Sequence, residues 1–271
     1  MDYELLAVDL DGTLTNTEKK VTEPTKEGIL AVQKAGEKLV LATGRPDNGV
    51  MPLAKELELD QYGNYVISFN GAKIRQCGSG EIIFNAVLPH EVIRPIYEIA
   101  KEYPVDMAVF DTELMYSGLQ PNSYTEFESK MITGMPCVFV QDLPGVVDFP
   151  INCILLTGEP EYMLHLEKVL KEQQFSDLLN IYRSEPFFLE ILPKNVDKAY
   201  SLQKLLEYLE MEPEQAICCG DGYNDISMLQ YAGLGVAMGN ACEEVQEAAD
   251  YVTGTNEEDG VLQVIRKFML S

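Results

Sequence analysis

The sequence begins with a short apolar segment, residues 5–8, that ends in two acidic residues, Asp9 and Asp11, and then in Gly12 and Thr13. A continuous apolar run of this length predicts a buried strand. Isolated buried carboxylates are costly, and a divalent cation is the simplest compensation. A carboxylate pair beside a metal ion is typical of phosphoryl-transfer sites. An ordinary solvated strand end is the alternative for this string taken alone.

The first and last thirds of the chain alternate between strands and helices. Strands are predicted over residues 4–10, 38–42, 65–69, 216–219, 235–238 and 251–253, and helices over 24–35, 49–57, 197–210 and 224–232. Strand–helix–strand repeats of this kind build a parallel sheet. If strand order runs outward in both directions from the first strand, the sheet order is 3-2-1-4-5. The predicted fold class is therefore α/β, with a Rossmann-like parallel sheet as the core.

The middle of the chain has a different pattern. Short strand candidates at residues 82–87, 106–110, 138–140 and 153–157 accompany amphipathic helices at 90–102 and 161–171, with prolines between them. This pattern predicts an α+β domain inserted into the sheet domain. The predicted domains are a core of residues 1–82 and 188–271 and an inserted cap domain of residues 83–187.

The charge of the chain limits its partners. It has 20 basic and 44 acidic residues, a formal net charge of −24. Such acidity argues against nucleic acids and anionic membranes as partners, and an anionic substrate would need local neutralisation. The first residues lack the features of a signal peptide. The six cysteines are scattered and predict buried thiols in a reducing cytoplasm. The sequence gives no indication of the oligomeric state.

Chemically able residues gather where the predicted strands end. They are Asp9 and Asp11 after the first strand, Thr43 after the second, and Asp221, Asn224 and Asp225 after the fourth. In open α/β sheets ligands bind at the carboxyl ends of the strands, where strand order reverses. This placement predicts that the first and fourth strands bring their carboxylates together around a metal ion.

The residue types at these positions suggest roles. Asp9, first in its loop, could attack phosphorus and form an aspartyl-phosphate. Asp11 could donate a proton to the leaving alcohol and later accept one from water. Thr43 offers a hydroxyl group and a backbone N–H to a phosphoryl oxygen. Lys198, at the start of a predicted helix, could offset phosphate charge, although a lone lysine is ordinarily a solvated surface residue.

Taken in order, these motifs resemble those of the haloacid dehalogenase superfamily of aspartate-nucleophile phosphatases. The motifs are Asp9-Leu10-Asp11-Gly12-Thr13, Thr43-Gly44-Arg45, Lys198 and Gly220-Asp221-Gly222-Tyr223-Asn224-Asp225. The insertion is similar to the C2-type cap of the Cof-like branch. The string Ser68-Phe69-Asn70-Gly71-Ala72 also resembles that branch.

The resemblance implies a role for each residue. Asp9 is the expected nucleophile and Asp11 the expected acid/base. Mg²⁺ is expected on the Asp9 side chain, the Asp11 backbone carbonyl and Asp221, with Asp225 in the outer shell. The expected phosphate contacts are the Leu10 N–H, Thr43, Gly44, Lys198 and Asn224.

The predicted function is that of a Mg²⁺-dependent phosphatase acting on small phosphorylated metabolites, with sugar phosphates as the expected class. A phosphomutase with the same nucleophile is an alternative, distinguished by whether the aspartyl-phosphate passes to water or to a sugar hydroxyl. A receiver-like phosphoacceptor module also uses clustered Asp, Thr and Lys, but it needs no insertion of about one hundred residues. A catalytically silent binding protein is disfavoured because no motif carboxylate is missing.

Overall fold

A computed structural model describes residues 3–270 of the protein. These residues form two compact units. The core unit comprises the chain up to residue 44, residues 50–84 and the chain from residue 197 onward, and the inserted unit comprises residues 45–49 and 85–196. Most of the predicted insertion, 83–187, thus lies in the inserted unit. None of the helices in the described residues is long and apolar enough to cross a membrane.

Strands and helices occur in both units. In chain order the strands are β1 (Leu5–Val8), β2 (Lys38–Ala42), β3 (Tyr65–Ser68), β4 (Lys73–Gln76), β5 (Ile82–Asn85), β6 (Asp106–Phe110), β7 (Met115–Ser117), β8 (Cys137–Phe139), β9 (Ile154–Thr157), β10 (Leu179–Glu185), β11 (Phe188–Pro193), β12 (Ala216–Gly220), β13 (Leu234–Ala237) and β14 (Tyr251–Val252). The α-helices are α1 (Glu23–Ala35), α2 (Asp47–Glu56), α3 (Leu59–Tyr62), α4 (Ile93–Ala100), α5 (Ser123–Phe127), α6 (Leu143–Val146), α7 (Pro160–Lys171), α8 (Lys198–Leu209), α9 (Ile226–Tyr231), α10 (Glu243–Glu247) and α11 (Gly260–Phe268).

The larger sheet has eight strands in the order β14-β13-β12-β1-β2-β3-β4-β5. From β14 to β3 all neighbouring strands are parallel, and β4 runs antiparallel to β3. With β12 and β13 as the fourth and fifth strands, this sheet confirms the predicted order 3-2-1-4-5. One prediction was wrong: Ile82–Asn85 lies at the edge of this sheet rather than among the strands of the insertion.

The first strand explains how the sheet is covered on both faces. Leu5, Leu6, Ala7 and Val8 are all completely buried. Because successive side chains of a strand point to opposite faces, Leu6 and Val8 join one apolar cluster, and Leu5 and Ala7 join another. The first cluster includes residues of α1 and α11, and the second includes residues of α8 and α9. A strand buried on both faces must be apolar throughout, which is why the sequence predicted it well.

The inserted unit contains a six-stranded sheet in the order β10-β11-β9-β6-β7-β8. Its strand pairs are antiparallel except β7 and β8. Helices α4 and α7 bury their apolar faces against this sheet in one cluster, which includes Ile96, Leu166 and Leu156. The α+β character of the insertion was predicted, whereas the hairpin of β10 and β11 was missed.

Candidate active site

The loop after β1 holds Asp9 at the edge of the sheet. The Asp9 N–H donates to the Cys219 carbonyl in β12 at 3.0 Å, and the Leu10 carbonyl accepts from the Thr15 N–H at 2.9 Å. Gly12 has φ +90°, a left-handed conformation, and a Cβ there would collide with the Asp221 carboxylate. Glycine is therefore required where this loop meets Asp221. The Asp9 side chain ends up largely buried.

The loops after β1 and β12 are joined directly. The Thr13 hydroxyl donates to Asp221 Oδ1 at 2.7 Å, although 208 residues separate the two. The carboxylates of Asp9, Asp221 and Asp225 have oxygen atoms that all lie within 4.8 Å of one another. The structure thus brings together the carboxylates that follow the first and fourth predicted strands, which lie side by side in the sheet.

Lys198 is the first residue of α8, and its side chain is almost completely buried. The helix begins where the Asp197 side chain accepts the Tyr200 N–H at 2.8 Å, as an N-cap. Lys198 Nζ donates to Asp9 Oδ1 and to Asp225 Oδ1, each at 2.6 Å. Lys198 is therefore an internal cation that pairs with two carboxylates.

Asp225 uses both of its carboxylate oxygens within the protein. Oδ1 accepts from Lys198, and Oδ2 accepts the backbone N–H groups of Asp221 and Gly222 at 3.0 and 2.9 Å. Its side chain is buried. Asp225 thereby fixes both the lysine and the loop that carries Asp221.

Asp11 is not one of the three clustered carboxylates, although its charge adds to the raised pKa of Asp221. Its Oδ1 accepts from Lys19 Nζ at 2.7 Å, and both side chains are about one-third exposed, 30% for Asp11 and 36% for Lys19. A surface pair of this kind leaves the Asp11 carboxylate in contact with solvent. The side chain of the predicted acid/base is thus more exposed than those of Asp9 and Asp225.

The remaining predicted residues lie at neighbouring strand ends. The Thr43 N–H at the end of β2 donates to the Ile67 carbonyl of β3 at 2.8 Å. Asn224 Nδ2 donates to Asn70 Oδ1 at 2.8 Å. Asn70 is not among the predicted site residues, although it lies in the Ser68-Phe69-Asn70-Gly71-Ala72 string that resembles the Cof-like branch.

A second asparagine, Asn240, was also missed. Its Nδ2 donates to the Gly12 carbonyl at 2.9 Å and lies 3.4 Å from Asp221 Oδ2. Its Oδ1 accepts the Asn256 N–H at 3.0 Å. Asn240 follows β13 and ties the first loop to Asp221. The sequence signal was its position just after a predicted strand, which is where ligand-binding residues gather in open α/β sheets.

Burial controls the protonation of this site. Burial raises the pKa of Asp9 well above its ordinary value; Lys198 opposes that rise, and the neighbouring Asp225 and Asp221 add to it. Burial also raises the pKa of Asp221 to about 6, against the Thr13 hydrogen bond. Burial alone would lower the pKa of Lys198, but Asp225 and Asp9 raise it above its ordinary value. Lys198 therefore stays charged.

The donor set fits a divalent cation. Three carboxylates face one buried ammonium group, so the cluster has an excess of negative charge when it is ionised. Mg²⁺ binds oxygen ligands, chiefly carboxylates and carbonyls, and such an ion would offset that charge. Because Asp225 is fully engaged, Asp9 and Asp221 are the carboxylates best able to serve as ligands.

Comparison with known proteins agrees with this geometry. The family model of the haloacid dehalogenase-like hydrolases matches residues 6–265. A Bacillus subtilis (strain 168) protein named "Putative phosphatase YxeH" is 34% identical over 274 residues, which cover 99% of each chain.

Two solved structures have the same fold. A haloacid dehalogenase-like hydrolase from Bacteroides thetaiotaomicron is 39% identical with a TM-score of 0.92, and the match covers 98% of this chain and 99% of that one. The subclass IIB sugar phosphatase BT4131 is 26% identical with a TM-score of 0.83, and the match covers 98% of each chain. These matches confirm the resemblance, and the chain belongs to the haloacid dehalogenase-like hydrolase family, in its Cof-like phosphatase branch.

Proposed function

We propose that this enzyme is a Mg²⁺-dependent phosphatase that hydrolyses small phosphorylated metabolites, with sugar phosphates as the substrate class, through an aspartyl-phosphate on Asp9. The observation that carries the proposal is the position of Asp9 at the carboxyl end of β1, hydrogen bonded to buried Lys198 and clustered with Asp221. An ionised carboxylate held beside a fixed cation is suited to approach an anionic phosphoryl group.

The proposed reaction has two steps. An Asp9 oxygen attacks phosphorus and the ester P–O bond breaks, while Asp11 gives its proton to the departing alcohol oxygen. In the second step Asp11 takes a proton from water, the water oxygen attacks phosphorus, and the bond from Asp9 to phosphorus breaks. The products are the alcohol and inorganic phosphate, and both aspartates return to their starting states.

The other residues would hold the phosphoryl group. Lys198 offers a charged amine whose position is set by Asp225. The Leu10 N–H, Thr43, Gly44 and Asn224 are the further proposed contacts. Donors that are fixed before the substrate arrives need no reorganisation as charge develops on the phosphoryl oxygens, and this is a large source of catalysis.

Mg²⁺ would be held by the Asp9 side chain, the Asp11 backbone carbonyl and Asp221. Asp225 is proposed for the outer shell because its two oxygens already accept from Lys198 and from backbone N–H groups. When bound, the ion supplies neutralisation of phosphoryl charge, which matters in a chain with a net charge of −24.

The substrate class is the least constrained part of the proposal. The sugar phosphatase among the structural neighbours supports sugar phosphates. The acidity of the chain disfavours long polyanions. We further propose that the insertion, predicted as residues 83–187 and observed chiefly as residues 85–196, is the cap that selects the substrate. We also propose that the protein works in the cytoplasm, where reducing conditions keep thiols such as the buried Cys218 and Cys219 free.

The proposal is tested by measuring phosphate release from a panel of hexose, pentose and triose phosphates, with nucleotides as the comparison set. We expect release that requires Mg²⁺ and that is lost in the Asp9→Asn variant. Acid-quenched wild-type enzyme should carry label from a ³²P-labelled substrate, and Asp9→Asn enzyme should not. Full turnover by Asp9→Asn, or turnover in excess chelator, would contradict the proposed chemistry.

A further inference from the structure

A buried turn after β3 has an unusual backbone. Phe69, Asn70 and Gly71 have consecutive left-handed φ angles of 50°, 49° and 105°. Phe69 and Asn70 are both buried, and a left-handed conformation is unfavourable for a residue other than glycine. Such a turn persists only when its surroundings hold it in place.

The turn contacts the segment that follows β2. The Asn70 N–H donates to the Thr43 carbonyl at 2.9 Å. A Cβ at Gly44 would lie 2.8 Å from Asn70 Nδ2, so a larger residue at position 44 would displace the Asn70 side chain. Asn70 therefore holds the Thr43 carbonyl through its N–H and packs its side chain against Gly44.

The same turn contacts the other two segments proposed to bind phosphate. Asn70 Oδ1 accepts from Asn224 Nδ2 at 2.8 Å. The Gly71 carbonyl accepts from the Ser201 hydroxyl, which lies in the same helix as Lys198. One turn thus contacts the Thr43–Gly44 segment, the Asn224 side chain and the first turn of α8.

We propose that Asn70 is a positioning residue for phosphate binding, an inference that rests on the proposed function. Its side-chain oxygen takes one N–H of the Asn224 amide and thereby orients the second N–H for a phosphoryl oxygen. An amide supplies this acceptor without charge, whereas a carboxylate would add repulsion toward phosphate. The left-handed backbone of the turn is retained because it places this acceptor and the Asn70 N–H against two segments at once.

The principal test is the Asn70→Gly variant, assayed for KM, kcat and competitive inhibition by inorganic phosphate. Glycine keeps the left-handed backbone and removes only the side chain. We expect KM and the inhibition constant of phosphate to rise about tenfold, which corresponds to one lost hydrogen bond of about 1.4 kcal/mol, with a smaller change in kcat. The matched control is Glu58→Gly, another left-handed position in the core unit, which should leave all three unchanged.

A double-mutant cycle separates positioning from general damage. In an Asn224→Ala background, Asn70→Gly should change phosphate inhibition by less than about twofold, because the group it orients is gone. Fully additive effects would overturn the proposal, and so would wild-type phosphate inhibition in Asn70→Gly.

Should Asn70→Gly fail to fold, Asn70→Asp serves in its place. Aspartate also tolerates left-handed backbone and keeps an acceptor for Asn224. Its negative charge should weaken phosphate inhibition by more than tenfold, and unchanged inhibition would overturn the proposal. Wild-type enzyme that neither hydrolyses phosphate esters nor binds phosphate would instead overturn the proposed function, and this inference with it.

Discussion

Lys198 Nζ and Asp9 Oδ1 lie 2.6 Å apart in a buried ion pair between residues 189 positions apart in the sequence. The same ammonium group donates to Asp225 at 2.6 Å. Two carboxylates therefore depend on one cation for compensation, and Lys198 should matter for folding as well as for chemistry. Removing one partner of a buried charge network leaves the other charges uncompensated.

We first predict that Lys198→Met lowers the free energy of unfolding by about 3–5 kcal/mol at pH 7, because Asp9 and Asp225 would remain buried without their cation. Urea unfolding followed by circular dichroism measures this change. The loss should become smaller as the pH falls, because burial raises the pKa of Asp9 and protonation would remove its charge. Lys204→Met is the control, since Lys204 is a partly exposed lysine of the same helix. Equal stability of the Lys198→Met and Lys204→Met variants would contradict this account.

A second prediction concerns removal of the metal ion. Mg²⁺ should raise the thermal midpoint of the wild-type protein, because a ligand that binds only the folded state stabilises it. Titration of chelator-treated protein by differential scanning calorimetry measures the effect. At a Mg²⁺ concentration one hundred times the dissociation constant, the free energy of unfolding should increase by about 2.7 kcal/mol. Asp221→Asn should largely abolish it, and a full Mg²⁺ response in that variant would remove Asp221 from the metal site.

The third prediction follows from the pKa of Asp221, which burial raises from 3.8 to about 6. A carboxyl group with a raised pKa destabilises the folded state when it ionises, so the penalty is absent below about pH 4 and complete above about pH 7. In metal-free protein, Asp221→Asn should therefore be more stable than wild type at pH 7.5, by at most about 3 kcal/mol, and equal to it at pH 4. A stability difference that did not grow with pH would show that Asp221 carries no such penalty.

Much of the core could be predicted from the sequence because its strands are buried on both faces. The predicted strands and helices of the core lie within two residues of the observed ones. The β10–β11 hairpin was missed because only the first half of β10 contains buried residues, and its second half, with Arg183 and Glu185, is half-buried or exposed. β10 is a strand because it pairs with β11, which in turn pairs with β9. The local pattern of apolar and polar residues does not encode such pairings.

The candidate site could be predicted in part for a similar reason. Asp9, Asp11 and Asp221 follow apolar strands, so their positions along the sheet edge follow from strand order. Asn70 and Asn240 lie in polar segments where asparagine is common, and their contacts join distant parts of the chain. The hydrogen bond from Asn224 to Asn70 spans 154 residues. Such contacts depend on the folded arrangement of the sheet and cannot be predicted from the local sequence.

The last prediction concerns Asp11, whose side chain is more exposed than those of Asp9 and Asp225. Asp11 pairs with Lys19 at 2.7 Å and is partly exposed, so it can exchange protons with water. Asp11→Asn should remove proton transfer while leaving the Asp9 nucleophile in place, and this role typically contributes about 10²–10⁴-fold. With 4-nitrophenyl phosphate, whose leaving group needs no proton, the variant should release a stoichiometric burst of nitrophenolate and then turn over slowly. With an alkyl phosphate it should show no burst. Rapid-quench kinetics measure both, with Asp9→Asn as the control that lacks any burst. Steady wild-type turnover of both substrates would show that Asp11 is not the acid/base.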